Sequence, residues 1–209
     1  LENENLKEKY ADKLIFDYPL KQFRLDKYSK EVQINQADLA PFPRAVKAVL
    51  LRQFRRKIFE DHKLNMKPVI LLKSKTIKDS QIFYQEFIDG IKTLKVDDLA
   101  KIKSSNTEKV FEKMFNYLEQ NNITFENLIL ELQEDFSEEK CIAVDSKNDS
   151  EEKQLILNSL EDENNEYRAI FAVDKLNEGW DVLNLFDIVR LYDTRDADHK
   201  TGKIGKTTM

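Results

Sequence analysis

Two periods of apolar spacing alternate along the chain. Short apolar runs predict strands at Leu14–Phe16, Glu31–Ile34, Pro68–Leu72, Cys141–Val144, Arg168–Val173 and Asp187–Leu191. A run with no polar alternation, such as PVILL, is the mark of a strand buried on both faces of a parallel sheet. Between the runs the spacing changes to three and four. Val46, Val49, Leu50, Phe54 and Ile58 predict one buried stripe on a helix from about Arg44 to His62. Ile77, Tyr84, Phe87, Ile88 and Ile91 predict a second helix, ending at Gly90–Thr93. Val110, Phe111, Met114 and Leu118 predict a third; Phe125, Leu128, Ile129 and Leu132 a fourth; Leu155, Ile156 and Leu160 a fifth.

Punctuation completes the picture. Pro19, Pro41 and Pro43 mark connecting structure. Thr76 with Asp79, and Asp149 with Glu152, have the spacing of helix-capping pairs. Residues 93–106 are polar and predict a loop. From Pro68 the order is strand, helix, two helices, strand, helix, strand, loop, strand. That order predicts an α/β domain with a mostly parallel sheet and helices on both faces.

Composition narrows the class. The 209 residues are 41% hydrophobic, enough for a real core, and 35% charged. No apolar run approaches ~18 residues, which excludes a transmembrane helix. The polar start LENENLKEKY is unlike a signal peptide, and with the ending GKIGKTTM it leads us to expect a piece of a larger protein. A single cysteine, Cys141, fits a reducing cytoplasm. With His62 and His199 it makes no zinc-ligand spacing. The net charge of −5 is divided unevenly, +8 over residues 1–78 and −13 over residues 79–209. A basic segment can face phosphates. The plainer reading is a solvated helix face and an acidic surface, and charge alone favours it.

Three polar turns follow apolar strands: Lys73–Thr76, Asp145–Asn148 and Asp174–Asp181. In a parallel sheet all three lie on the carboxyl edge, where α/β proteins bind ligands. Ser74, Lys75 and Thr76 place hydroxyl and ammonium donors at a helix start, a set suited to phosphate. The plainer reading, favoured on these residues alone, is an ordinary capped helix. In the third turn Gly179 frees the backbone and Asp181 can accept from ribose hydroxyls. Lys175 is a candidate phosphate contact, and Trp180 reads as core packing before base stacking.

The stretch AVDKLNEGWDVLNL resembles motif V of superfamily 2 helicases, with Ala172, Asp174, Gly179, Asp181, Val182 and Asn184 in register. PVILLKSKTIKDSQIF resembles motif IV, and CIAVDSKNDSEEKQLIL resembles the strand, turn and helix between the two. More narrowly, NEGWDVLNLFDIVRLYDTRD, DYPLKQFR-DKYSKEV and FEDHKLNMKPVILLKSKTIKDS resemble the Res subunit of type III restriction enzymes. This resemblance reaches back through the basic helix and covers most of the chain.

It implies two RecA-like motor domains with ATP and Mg²⁺ in the cleft between them. Residues 1–66 would be the connection from the first domain, and residues 67–209 the second domain, with a helical insertion at about 93–139. Gly179 and Asp181 would contact ATP; Ser74, Lys75, Thr76 and Lys175 would contact nucleic acid. Double-stranded DNA and a modification (methyltransferase) subunit would be partners, in the cytoplasm. The alternatives are another superfamily 2 DNA or RNA helicase, or a non-catalytic α/β module that binds a protein partner.

Two departures qualify the match. The motif V Thr that touches the nucleic-acid backbone is Val173 here, and the Arg before Gly is Glu178. Gly205-Lys206-Thr207 invites a P-loop assignment, but a P-loop needs a Gly at position 200, which is Lys. The phosphate-binding loop and the arginine fingers are therefore expected outside these residues, and the fragment alone is expected to be inactive.

Overall fold

The structure is a computed structural model that describes residues 13, 18–30, 33, 39–145, 150–173 and 182–192. The predicted strand Leu14–Phe16, all of Glu31–Ile34 but Gln33, and most of the turn after Val144 fall outside them. The chain divides into two units, residues 1–38 and 39–209.

Among its described residues the first unit has a short helix, α1 (Leu20–Leu25). Its end is a Schellman turn. The Tyr28 N–H donates to the Phe23 carbonyl and the Lys27 N–H to the Arg24 carbonyl, with Lys27 left-handed at φ 64°. The turn folds Tyr28 back onto Phe23 and Tyr18, whose ring centroids lie 5.6 and 6.4 Å away.

The second unit begins with α2 (Pro41–Asp61). Pro41 and Pro43 are its first turn rather than connecting structure, because proline's missing N–H costs nothing where no helical partner exists. Then follow β1 (Val69–Ser74), α3 (Ile77–Lys92), α4 (Val96–Ser105), α5 (Lys109–Gln120), α6 (Phe125–Asp135), β2 (Cys141–Val144), α7 (Glu151–Asn158), β3 (Ala169–Val173) and β4 (Leu185–Arg190). The predicted loop at 93–106 is thus largely α4. Leu94, Val96, Leu99 and Ile102 form a narrow apolar stripe, and only Leu94 and Leu99 are deeply buried. The fifth helix is capped by Ser150, whose hydroxyl accepts the Lys153 N–H; Asp149 lies outside the described residues. Leu155, assigned to its buried face, is exposed, and Leu157 is buried in its place.

The four strands form one all-parallel sheet in the order β2-β3-β1-β4. Strand alternation sends Ile70, Leu72, Ala169 and Phe171 to one face, against α2, α3 and the helices of residues 96–135. Val69, Leu71, Ile170 and Ala172 turn to the other face, against Leu157 and Leu160. Both faces carry helices, as the element order predicts. Phe171 lies at the centre, its ring 4.9 Å from Tyr84 and 5.3 Å from Phe87. Burying a side chain of that size stabilises the fold by roughly 1.5–3 kcal/mol.

A bulge at Phe186 resets β4. Leu185 pairs with Val69 but Asp187 with Ile70, so the alternation slips by one residue. The slip turns Asp187 toward α2, where Arg55 pairs with it, and Val189 into the main core. At residue 90 the packing of α2 and α3 is tight. A Cβ there would stand 2.3 Å from the Phe42 ring, which explains a glycine inside a 16-residue helix.

Candidate functional site at the carboxyl edge of the sheet

Because the strands are parallel, their carboxyl ends meet on one edge. Ser74 pairs with Val173, Val144 with Ala172, and Lys73 with Arg190. The turn after β1 and the loop that leaves β3 therefore start side by side. Lys175, Gly179, Trp180 and Asp181, in that loop, lie outside the described residues.

The turn after β1 is built by its cap. The Thr76 hydroxyl accepts the Asp79 N–H at 3.1 Å and donates to the Asp79 carboxylate at 2.7 Å. This is the capping pair expected from the sequence, and it commits the Thr76 hydroxyl to starting α3. Lys75 is exposed at the edge. Ser74 is 4% exposed, and its hydroxyl has no hydrogen-bond partner among the described residues. A buried hydroxyl without a partner costs about 1–3 kcal/mol, so its persistence needs a reason.

Ser74 opens onto a cleft of about 240 Å³ between the start of α2, one side of α3 and the end of β4. The Leu191 N–H extends the ladder to the Lys73 carbonyl at 2.9 Å, and Arg44 donates to the Arg190 carbonyl at 2.6 Å. These bonds hold Leu191 and Tyr192 at the cleft. Asn184, in register with motif V, does structural work. Its side-chain amide N–H donates to the Leu160 carbonyl and its backbone carbonyl accepts the Val69 N–H, fastening the start of β4.

The basic helix has partners within the domain. Arg52 is fully buried and pairs with Asp135; Arg56 pairs with Asp135 and Glu60, Lys57 with Glu131, and Arg55 with Asp187. Burial pulls the Arg52 guanidinium down to about 10, and Asp135 pulls against that shift. Burial alone would raise Asp135, but Arg52 and Arg56 together hold its carboxyl below the usual range. The uneven charge of the chain is thus partly spent internally, α2 against α6 and β4. Sequence reasoning placed these basic residues mostly off the buried stripe. The available signal was spacing, since Arg52 and Gln53 stand three residues beyond Val49 and Leu50 and continue the stripe.

Other chemistry is weaker. Burial pushes the Cys141 thiol up to about 12, which leaves it inert as a nucleophile. Among the described residues no group of three or more His, Cys, Asp or Glu side chains could hold a metal ion. No helix among them is long and apolar enough to cross a membrane.

Four parallel strands flanked by helices, with polar turns gathered at one edge, define an α/β domain of a kind consistent with the RecA-like class. Over 99% of its length the chain is 34% identical to the probable type III restriction-modification enzyme HindVIP Res subunit of Haemophilus influenzae, in an alignment of 227 residues. The chain is homologous to that subunit and spans 44% of its length. No protein-family model matches the chain. No solved structure matches it.

Proposed function

We propose that the chain is the second RecA-like motor domain of a type III restriction endonuclease Res subunit. Residues 1–66 are the connection from a first motor domain, and 67–209 the second domain with its helical insertion. The observation that carries the reading is homology to a Res subunit along nearly the whole chain. The parallel sheet supports it, because Ser74 and the start of the Asp174–Asp181 loop share the edge where such domains bind ligands.

In this reading the full protein uses ATP and Mg²⁺ to move on double-stranded DNA, working in the cytoplasm with a modification subunit. ATP is held mainly by the first domain, and Gly179 and Asp181 complete the pocket from the second. Ser74, Lys75 and Lys175 grip a DNA strand, while Thr76 holds the start of α3 so that Lys75 is presented at the edge. Closing the cleft brings the two domains onto the nucleotide; hydrolysis opens it and shifts the grip.

The test is Asp181→Ala in the full protein. Loss of ATP turnover, or of its stimulation by DNA, is the expected result. Turnover and stimulation at the wild-type level would remove Asp181 from the cleft.

A further inference from the structure

Most arginines of the second unit are engaged. Arg44 and Arg168 donate to backbone carbonyls, and Arg52, Arg55 and Arg56 to carboxylates. Arg190, the last residue of β4, is different. Its guanidinium has no hydrogen bond and no ion pair among the described residues. It lies over the Tyr192 ring instead, 5.6 Å from the centroid. The backbone around it is fixed: its carbonyl accepts from Arg44 at 2.6 Å, and the next N–H, of Leu191, donates to the Lys73 carbonyl at 2.9 Å. The side chain is partly exposed, so its donors meet solvent. The carboxylates nearby are spent or turned away. Asp187 of β4 faces α2 and pairs with Arg55, while the register partner of Arg190 on β1 is another cation, Lys73. Asp79 and Glu86 line the cleft beside Tyr192, but Asp79 is engaged by Thr76 and neither pairs with Arg190. A long side chain held in place without an anion bears its ordering cost and gains no ion pair in return.

Resting on the motor reading above, we infer that Arg190 binds a phosphate group at the carboxyl edge of the sheet, with Tyr192 as its positioning residue. Stacking on an aromatic ring uses the face of a guanidinium and leaves its N–H edge, the part that forks onto two oxygens of one phosphate. The flat ring of Tyr192 limits the swing of the side chain, so little freedom remains to be lost when the phosphate arrives. The motor reading supplies two sources of that phosphate, the DNA backbone and the nucleotide. DNA is the expected one, because Lys75 stands exposed at the same edge.

The experiment compares the full protein with its Arg190→Gln variant in two measurements: affinity for a labelled DNA duplex by fluorescence anisotropy across a salt series, and KM for ATP. A contact to the DNA backbone predicts roughly tenfold weaker duplex binding in the variant. It also predicts a salt slope shallower by about 0.9, the share of one phosphate, with KM unchanged. A contact to the nucleotide predicts the reverse, KM raised roughly tenfold and the salt slope unchanged; this outcome keeps the phosphate site and moves its source. Tyr192→Leu should weaken the same property, and Tyr192→Phe, which keeps the ring, should not. The urea midpoint of Arg190→Gln should equal wild type, since the side chain makes no hydrogen bond within the domain. Weaker binding with a lowered midpoint would assign Arg190 to holding β4 and overturn the site. Salt slope and KM both at wild-type values overturn it too, and leave the motor reading standing. Failure of the unmutated full protein to bind DNA or turn over ATP overturns the motor reading and the site together.

Discussion

Arg52 of α2 and Asp135 of α6 form an ion pair that is almost completely removed from solvent. The Arg52 Nη1 donates to the carboxylate at 2.5 Å, its Nε donates to the Pro68 carbonyl at 2.8 Å, and its Nη2 has no partner among the described residues. Removing the carboxylate strands a buried cation. Asp135→Ala should therefore destabilise the domain by about 3–5 kcal/mol. Replacing both partners by apolar residues, Arg52→Met with Asp135→Leu, should recover most of the loss. Urea unfolding of the three proteins checks both statements; an Asp135→Ala midpoint equal to wild type would contradict the first.

Asp135 and Asp187 should respond to acid in opposite senses. The folded pKa of Asp135 is depressed by its two arginines against the effect of burial. Its stabilisation is present above the ordinary value of 3.8 and is lost as pH falls through the folded value. For Asp187 burial prevails over Arg55 and raises the pKa. Its contribution is greatest below 3.8 and is lost as pH rises through the folded value. Asp135→Asn should flatten the loss of stability below pH 3.8, whereas Asp187→Asn should remove a destabilisation above it. Chemical unfolding across the acid range separates the two.

Gly90→Ala tests the approach of α2 to α3. In an open helix this change gains about 1 kcal/mol. Here the new methyl meets the Phe42 ring at 2.3 Å, and displacing an aromatic ring that is half-buried should cost about 1–3 kcal/mol. The expected outcome is net destabilisation by thermal unfolding. Adding Phe42→Ala to Gly90→Ala should restore the helix gain.

At the centre of the sheet, Phe171→Ala should cost about 3–5 kcal/mol, because it opens a cavity among Phe83, Tyr84 and Phe87. Phe171→Leu should cost less than half as much. A similar loss for both would show that ring contacts, rather than filled volume, dominate there.

The strands were legible because their apolar runs are continuous. PVILL, CIAV and the AIFAV of β3 need no partner to be recognised, and two-sided burial implies parallel neighbours. The Thr76–Asp79 cap was legible because capping is local. Helix α4 was missed because its stripe is narrow and its other positions, Ala100 apart, are Asp, Lys and Ser. The burial of Arg52 was hidden because the group that permits it, Asp135, is 83 residues away. The cleft was hidden for the same reason, since Ser74, Ile82 and Tyr192 meet only through the tertiary fold. The sequence puts Ser74 and Lys75 at the end of an apolar strand, and the structure has them at the carboxyl edge of the sheet.

The partners of α2 also bear on how the chain is made. Arg52 waits for a residue 83 positions later, and Arg55 for one 132 positions later. During synthesis the helix emerges with its apolar stripe bare and its arginines unmatched. The domain cannot close cooperatively until β4 has left the ribosome. Such non-local closure makes folding slow and exposes apolar surface in the interval. Refolding by dilution from denaturant should accordingly run slower than for helical bundles of equal length, and chains cut before Asp187 should bind a chaperone.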